Sequence, residues 1–135
     1  MVFGTFDGLH KGHENFFQQA RVLARPAKPF LIVSVARDKN VKRIKGRKPS
    51  LNEKQRLRKL KKHPLVSKAL LGDLGNHIPH IIKQEPDLIA LGYDQKHYVK
   101  GLRSTLKAKG LKVKIVRLKS YHPEKFKSSI IKKRT

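Results

Sequence analysis

The stretch Val2 to His13, VFGTFDGLHKGH, constrains the fold more than any other part of the chain. A short apolar run meets a glycine-containing turn, and the turn leads directly into a segment with helical periodicity. Phe16, Phe17, Ala20 and Leu23, within Glu14 to Leu23, recur at spacings that put them on one helical stripe. A strand, a tight turn and a helix N-terminus in that order form the element with which α/β proteins hold phosphates.

The chain continues in the same rhythm. Phe30 to Ala36, FLIVSVA, is a continuous apolar and β-branched run of the kind found in a strand covered on both faces, which argues for a parallel sheet. Arg37 to Lys48, RDKNVKRIKGRK, carries seven cations and two apolar side chains, and predicts a loop because it cannot bury itself. Pro49-Ser50 followed by Glu53 has capping-box spacing, and Leu51, Leu57 and Leu60 then mark a helix ending near His63-Pro64.

Ala69 to Leu71 predicts a third strand, His77 to Gln84 a short helix and Asp87 to Gly92 a fourth strand. A helix over Tyr98 to Lys109 stops at Gly110, and Lys112 to Leu118 predicts a fifth strand nearer a sheet edge. Ser128 to Ile131 opens a last helix. The expected fold is α/β: residues 1–135 as one doubly wound, Rossmann-like domain with a mainly parallel five-stranded sheet and ligands at the strands' C-terminal ends.

Charge limits the partners. Thirty-three Lys and Arg against nine Asp and Glu give +24 at pH 7, which brings nucleotides, nucleic acid and anionic membranes into consideration. The absence of cysteine excludes disulfides and thiolate chemistry. No apolar run approaches the roughly 20 residues of a membrane span, and the N-terminus becomes polar too early for a secretory signal, so a cytoplasmic protein without membrane contact is expected.

His10 and His13, at i and i+3 around Gly12, place two imidazole donors on one side of a helix start, and Gly12 leaves room for a phosphate. The same spacing also suits a capping or packed histidine. Metal ligation fits less well, because local spacing brings no third ligand beside the pair, and no metal ligand is assigned. Asp94 after the fourth strand equally suits a turn cap, and Ser128 and Ser129 an ordinary N-cap.

GTFDGLHKGH resembles the GxFDxxHxGH signature of the cytidylyltransferase-like nucleotidyltransferases, whose six fixed positions are filled by Gly4, Phe6, Asp7, His10, Gly12 and His13. The stretch LGDLGNHIPHIIKQEPDLIALGYDQ is similar to archaeal-type FAD synthases and to the related glycerol-3-phosphate cytidylyltransferases. This resemblance implies transfer of a nucleoside monophosphate from ATP or CTP to a phosphorylated acceptor such as FMN, with release of pyrophosphate and help from a divalent metal, Mg²⁺ foremost.

By the same resemblance His10 and His13 stabilise the pentacoordinate phosphorus, and Gly4, Thr5, Phe6, Asp7 and Gly12 form the nucleotide site. Asp94, Tyr121, Ser128 and Ser129 supply further nucleotide contacts. Lys45 and Lys48 are the candidates to reach the triphosphate from the basic segment, with Arg56 as a further one. KSSIIKKR lacks the glycine-led ISTT form of the cytidylyltransferases, which favours the FMN adenylyltransferase over its cytidylyltransferase alternative. The reading of another class is a nucleic-acid-binding protein reusing the fold. A homodimer is compatible with either.

Overall fold

In a computed structural model of the chain, residues 1–25, 27–75, 77–92, 95 and 101–119 are described. The elements are β1 (Val2–Gly4), α1 (Lys11–Leu23), β2 (Ile32–Val35), α2 (Asp38–Lys45), α3 (Glu53–Lys61), β3 (Lys68–Leu71), α4 (Ile78–Gln84), β4 (Leu88–Leu91), α5 (Leu102–Ala108) and β5 (Lys114–Arg117). The expected α/β alternation and all five strands are present. The last helix lies outside the described residues.

The strands pair in two parallel ladders, β1-β2-β3 and β4-β5. The Ala90 N–H donates to the Met1 carbonyl at 3.0 Å and the Gln95 side chain donates to the Phe3 carbonyl at 2.7 Å, so β4 lies beside β1. The spatial order is therefore β3-β2-β1-β4-β5, which reverses between β1 and β4. That reversal opens the crevice in which doubly wound proteins bind ligands. The expected single sheet is thus two ladders meeting at a strand of three residues, too short for a long run of pairing.

The two faces follow from the period-two alternation of strand side chains. Val2 and Val33 point into one core with Phe17, Ala20 and Leu60, which come from α1 and α3. Phe3 and Ile32 point into the other, with Ile81, Leu102 and Leu106 from α4 and α5. Helices on both faces explain why β2 is buried along its whole length. β5 is partly exposed, as expected for an edge. No helix among the described residues is long and apolar enough to cross a membrane.

The basic segment is a helix rather than the expected loop. α2 buries only Asn40 and Val41, and the Asn40 amide donates to the Asp73 carbonyl at 2.8 Å. Its cations Lys42, Arg43 and Lys45 crowd the last turn, where the helix dipole favours positive charge, and Gly46 closes the helix at φ 80°. A helix can therefore stand on two buried side chains when its ends are well satisfied.

The α3 cap is also shifted from the expected frame. The capping box is Asn52 with Gln55, each side chain accepting the other residue's backbone N–H at 2.9 Å. Ser50 has a different partner, described next.

Candidate active site

The signature turn sits at the C-terminal end of β1, at the crevice edge. Phe6 holds a left-handed backbone conformation, φ 53°, although it is not glycine. The turn folds the Phe6 ring back onto Gly4, where an added Cβ would meet Phe6 Cζ at 2.7 Å. Position 4 must therefore lack a side chain. The ring is held from the other side by Phe17 at 5.4 Å and meets His13 edge-on at the same centroid distance.

The two histidines act first on each other's backbone. His10 is the N-cap of α1, and its Nδ1 accepts the Gly12 N–H at 2.9 Å. His13 Nδ1 accepts the His10 N–H at 3.3 Å, and the two rings stack at 3.9 Å. The capping role left open by the spacing is thus real, and it has a chemical consequence. A neutral imidazole whose Nδ1 accepts carries its proton on Nε2. Burial, followed by the nearby His10, lowers the His13 pKa to about 4, against a smaller opposing effect of the Gly8 carbonyl. His13 is accordingly a neutral donor at pH 7.

Asp7 turns towards the chain. Its carboxylate accepts the Ser50 N–H at 2.7 Å and the Leu51 N–H at 2.8 Å. Desolvation works against its charge, but these two donors and the Arg56 guanidinium outweigh it and hold the carboxyl below its ordinary pKa. The segment following α2 is thereby clamped to the signature turn. Lys45 and Lys48, both exposed, lie just before this clamp, and Lys48 is two residues from Ser50.

Arg56 does not reach outward to a triphosphate. Its side chain is fully buried, Nε donates to the Leu51 carbonyl at 3.0 Å, and one terminal nitrogen donates to the carbonyls of Thr5 and Ala36 at 2.9 and 2.8 Å. The other terminal nitrogen meets Asp38 at 2.7 Å. This guanidinium therefore joins the ends of β1 and β2 to the start of α3. The leucine spacing of α3 alone could not have revealed it, because a charged residue among surface cations reads as exposed. The Gln95 amide, also not anticipated, accepts the Gly92 N–H at 2.7 Å while donating to Phe3, and so ties the ends of β4 and β1.

Thr5 and Gly12 belong to the same turn, with the Thr5 carbonyl held by Arg56 and the Gly12 N–H by His10. Asp94, Tyr121, Ser128 and Ser129 lie outside the described residues. Among the described residues no cluster of three His, Asp or Glu could cage a metal ion. The Asp7, Asp38 and Glu53 carboxylates are engaged by backbone N–H groups or arginines. The described residues thus bring two imidazoles, a helix N-terminus and a tethered basic segment together at one crevice, a set suited to polyphosphate.

The cytidylyltransferase-like family model matches residues 1–134. A FAD synthase of Methanothermus fervidus is 42% identical over 98% of this chain and 92% of its own. One from Thermoplasma volcanium is 36% identical over 99% and 91%. The crystal structure of a Thermoplasma volcanium protein described as a lipopolysaccharide core biosynthesis protein superimposes with a TM-score of 0.80 at 37% identity, covering 90% of this chain and 95% of that one.

Proposed function

The chain belongs to the cytidylyltransferase-like family, and within it we propose that this nucleotidyltransferase is an FMN adenylyltransferase, making FAD from ATP and FMN with release of pyrophosphate. The observation that carries the chemistry is the pair of imidazoles held through Nδ1 at the crevice, beside the N-terminus of α1. The similarity to FAD synthases over nearly the whole chain supports the choice of acceptor.

An FMN phosphate oxygen attacks the α-phosphorus of ATP as the bond to the departing pyrophosphate breaks. Charge then builds on the non-bridging oxygens. In this reading His10 and His13 donate to those oxygens from Nε2, with their Nδ1 atoms held by backbone N–H groups. Lys45 and Lys48 meet the β- and γ-phosphates, brought near by the Asp7 clamp. Gly4, Thr5, Phe6, Asp7 and Gly12 shape the turn, with Asp7 acting through Ser50 and Leu51. Asp94, Tyr121, Ser128 and Ser129 complete the nucleotide contacts in this reading. A divalent ion such as Mg²⁺ would offset charge on the triphosphate and the departing pyrophosphate, and no described residue is assigned to hold it. We read residues 1–135 as one domain, cytoplasmic, working alone or as a homodimer.

The test pairs ATP or CTP with FMN or glycerol 3-phosphate and follows pyrophosphate. Release with ATP and FMN alone is expected. Release only with CTP and glycerol 3-phosphate would replace the proposal with the cytidylyltransferase alternative, and none with any pair would remove both.

A further inference from the structure

The positive charge is concentrated in a pattern that the adenylyl-transfer site does not use. On α3, Lys54, Arg58 and Lys61 recur at i, i+4 and i+7, and Lys62 caps the helix at i+8. At 100° per residue these four fall on one side, opposite the buried Arg56 and Leu60, and all four are exposed. The stripe runs about 10 Å, at 1.5 Å per residue from Lys54 to Lys61. Lys59 flanks it.

Like charges at i and i+4 destabilise a helix, and although the dipole favours Arg58 and Lys61 in the last turn, no acid among the described residues pairs with the stripe. Glu53 is the helix's single acid, and it faces Arg37 and the start of α2. Among the described residues the ion pairs are Arg37–Glu53 and Arg56–Asp38, with His63 4.0 Å from Glu14, none of them on the stripe. α3 packs against β2 and β3 with its other side, so the stripe looks outward.

We propose that the exposed face of α3, Lys54, Arg58, Lys61 and Lys62, is a binding surface for the phosphodiester backbone of nucleic acid. A line of cations without acidic partners among the described residues matches a line of phosphates, each contact releasing condensed counterions. No exposed aromatic residue lies on the stripe, so it reads backbone rather than bases. An anionic membrane fits less well, because interfacial helices carry exposed apolar side chains beside their cations. Among the described residues the large exposed apolar ones, Val22, Phe30, Ile44 and Leu74, lie off α3. The inference does not rest on adenylyl transfer.

The experiment measures fluorescence anisotropy of labelled twenty-nucleotide oligouridine and oligothymidine between 50 and 200 mM salt, with phosphatidylserine vesicles as a third probe. Two triple variants carry the same charge change: Arg58→Glu/Lys61→Glu/Lys62→Glu on the stripe, and Lys107→Glu/Lys109→Glu/Lys112→Glu on α5 and the segment before β5. The stripe variant is expected to bind at least 10-fold more weakly, with a log–log salt slope flatter by about 2 for the three lost contacts, while the control stays within about 3-fold of the parent. The corresponding Gln variants repeat the comparison without placing acids at a helix C-terminus, and circular dichroism verifies folding. Binding of either strand supports the surface, and a preference between them identifies its source. Equal losses in the two variants, no nucleic-acid binding by the parent, or tighter binding to vesicles than to either strand would overturn it. FAD formation, measured in parallel, keeps this outcome separate from that of the adenylyltransferase reading.

Discussion

Asp38 and Glu53 cap each other's helices. The Asp38 carboxylate accepts the first N–H of α3 at 3.1 Å, and the Glu53 carboxylate accepts the first N–H of α2 at 2.9 Å. Their remaining oxygens meet Arg56 and Arg37. Two helices with little apolar surface between them are therefore joined at their N-termini by charge, and the buried guanidinium carries that junction to the ends of β1 and β2.

Arg56→Leu should accordingly unfold at lower denaturant, by about 3 kcal/mol or more, because it strands buried carbonyls and removes Asp38's partner. Urea titration followed by circular dichroism measures it. A loss below about 1 kcal/mol would mean that the guanidinium is peripheral to the fold.

Gly4→Ala tests the turn. The new methyl group would meet the Phe6 ring, which cannot retreat because Phe17 and His13 lie against it. A destabilisation of about 1–3 kcal/mol is expected, together with a fall in turnover as His13 shifts. Unchanged melting and turnover would contradict the close packing.

Asp7→Ala should release Ser50 and Leu51 and let the basic segment move from the crevice. Two charge-assisted hydrogen bonds are lost. KM for ATP is expected to rise about 10-fold or more, with a smaller change in kcat, in steady-state pyrophosphate assays. A change confined to KM for FMN would place the clamp elsewhere in the reaction.

His13 gives stability a defined pH dependence. Its folded pKa is about 4, against an ordinary value of 6.5, so between these values the unfolded chain binds the proton and the folded one does not. Stability from this group should therefore rise with pH through that window, and His13→Gln should flatten the rise. Proton NMR of the ring should show its pKa increasing when ATP binds, because the triphosphate favours the charged form. A pKa unmoved by saturating ATP would separate His13 from the phosphates.

Much of this was legible in the residues, for identifiable reasons. The run FLIVSVA argued for a strand covered on both faces, and Ile32–Val35 within it is one, while Phe30 lies outside it and is exposed. The spacing HxGH at a helix start left capping and phosphate binding open; the geometry shows the capping, through Nδ1, and Nε2 is the atom our proposal assigns to phosphate. α2 was illegible because its stability resides in contacts made fifteen residues away, by Glu53, rather than in an apolar stripe. The Asp7 clamp was illegible because a carboxylate in a signature turn carries no mark of a partner more than forty residues on.

The most direct test is FAD formation from FMN and ATP by the parent protein and by His13→Ala, verified as folded by circular dichroism. The parent should form FAD and pyrophosphate in equal amounts, and the variant should lose about 10²-fold or more in kcat, the usual cost of removing a transition-state donor. A folded parent that makes no FAD, or a His13→Ala variant that matches its rate, would contradict the account.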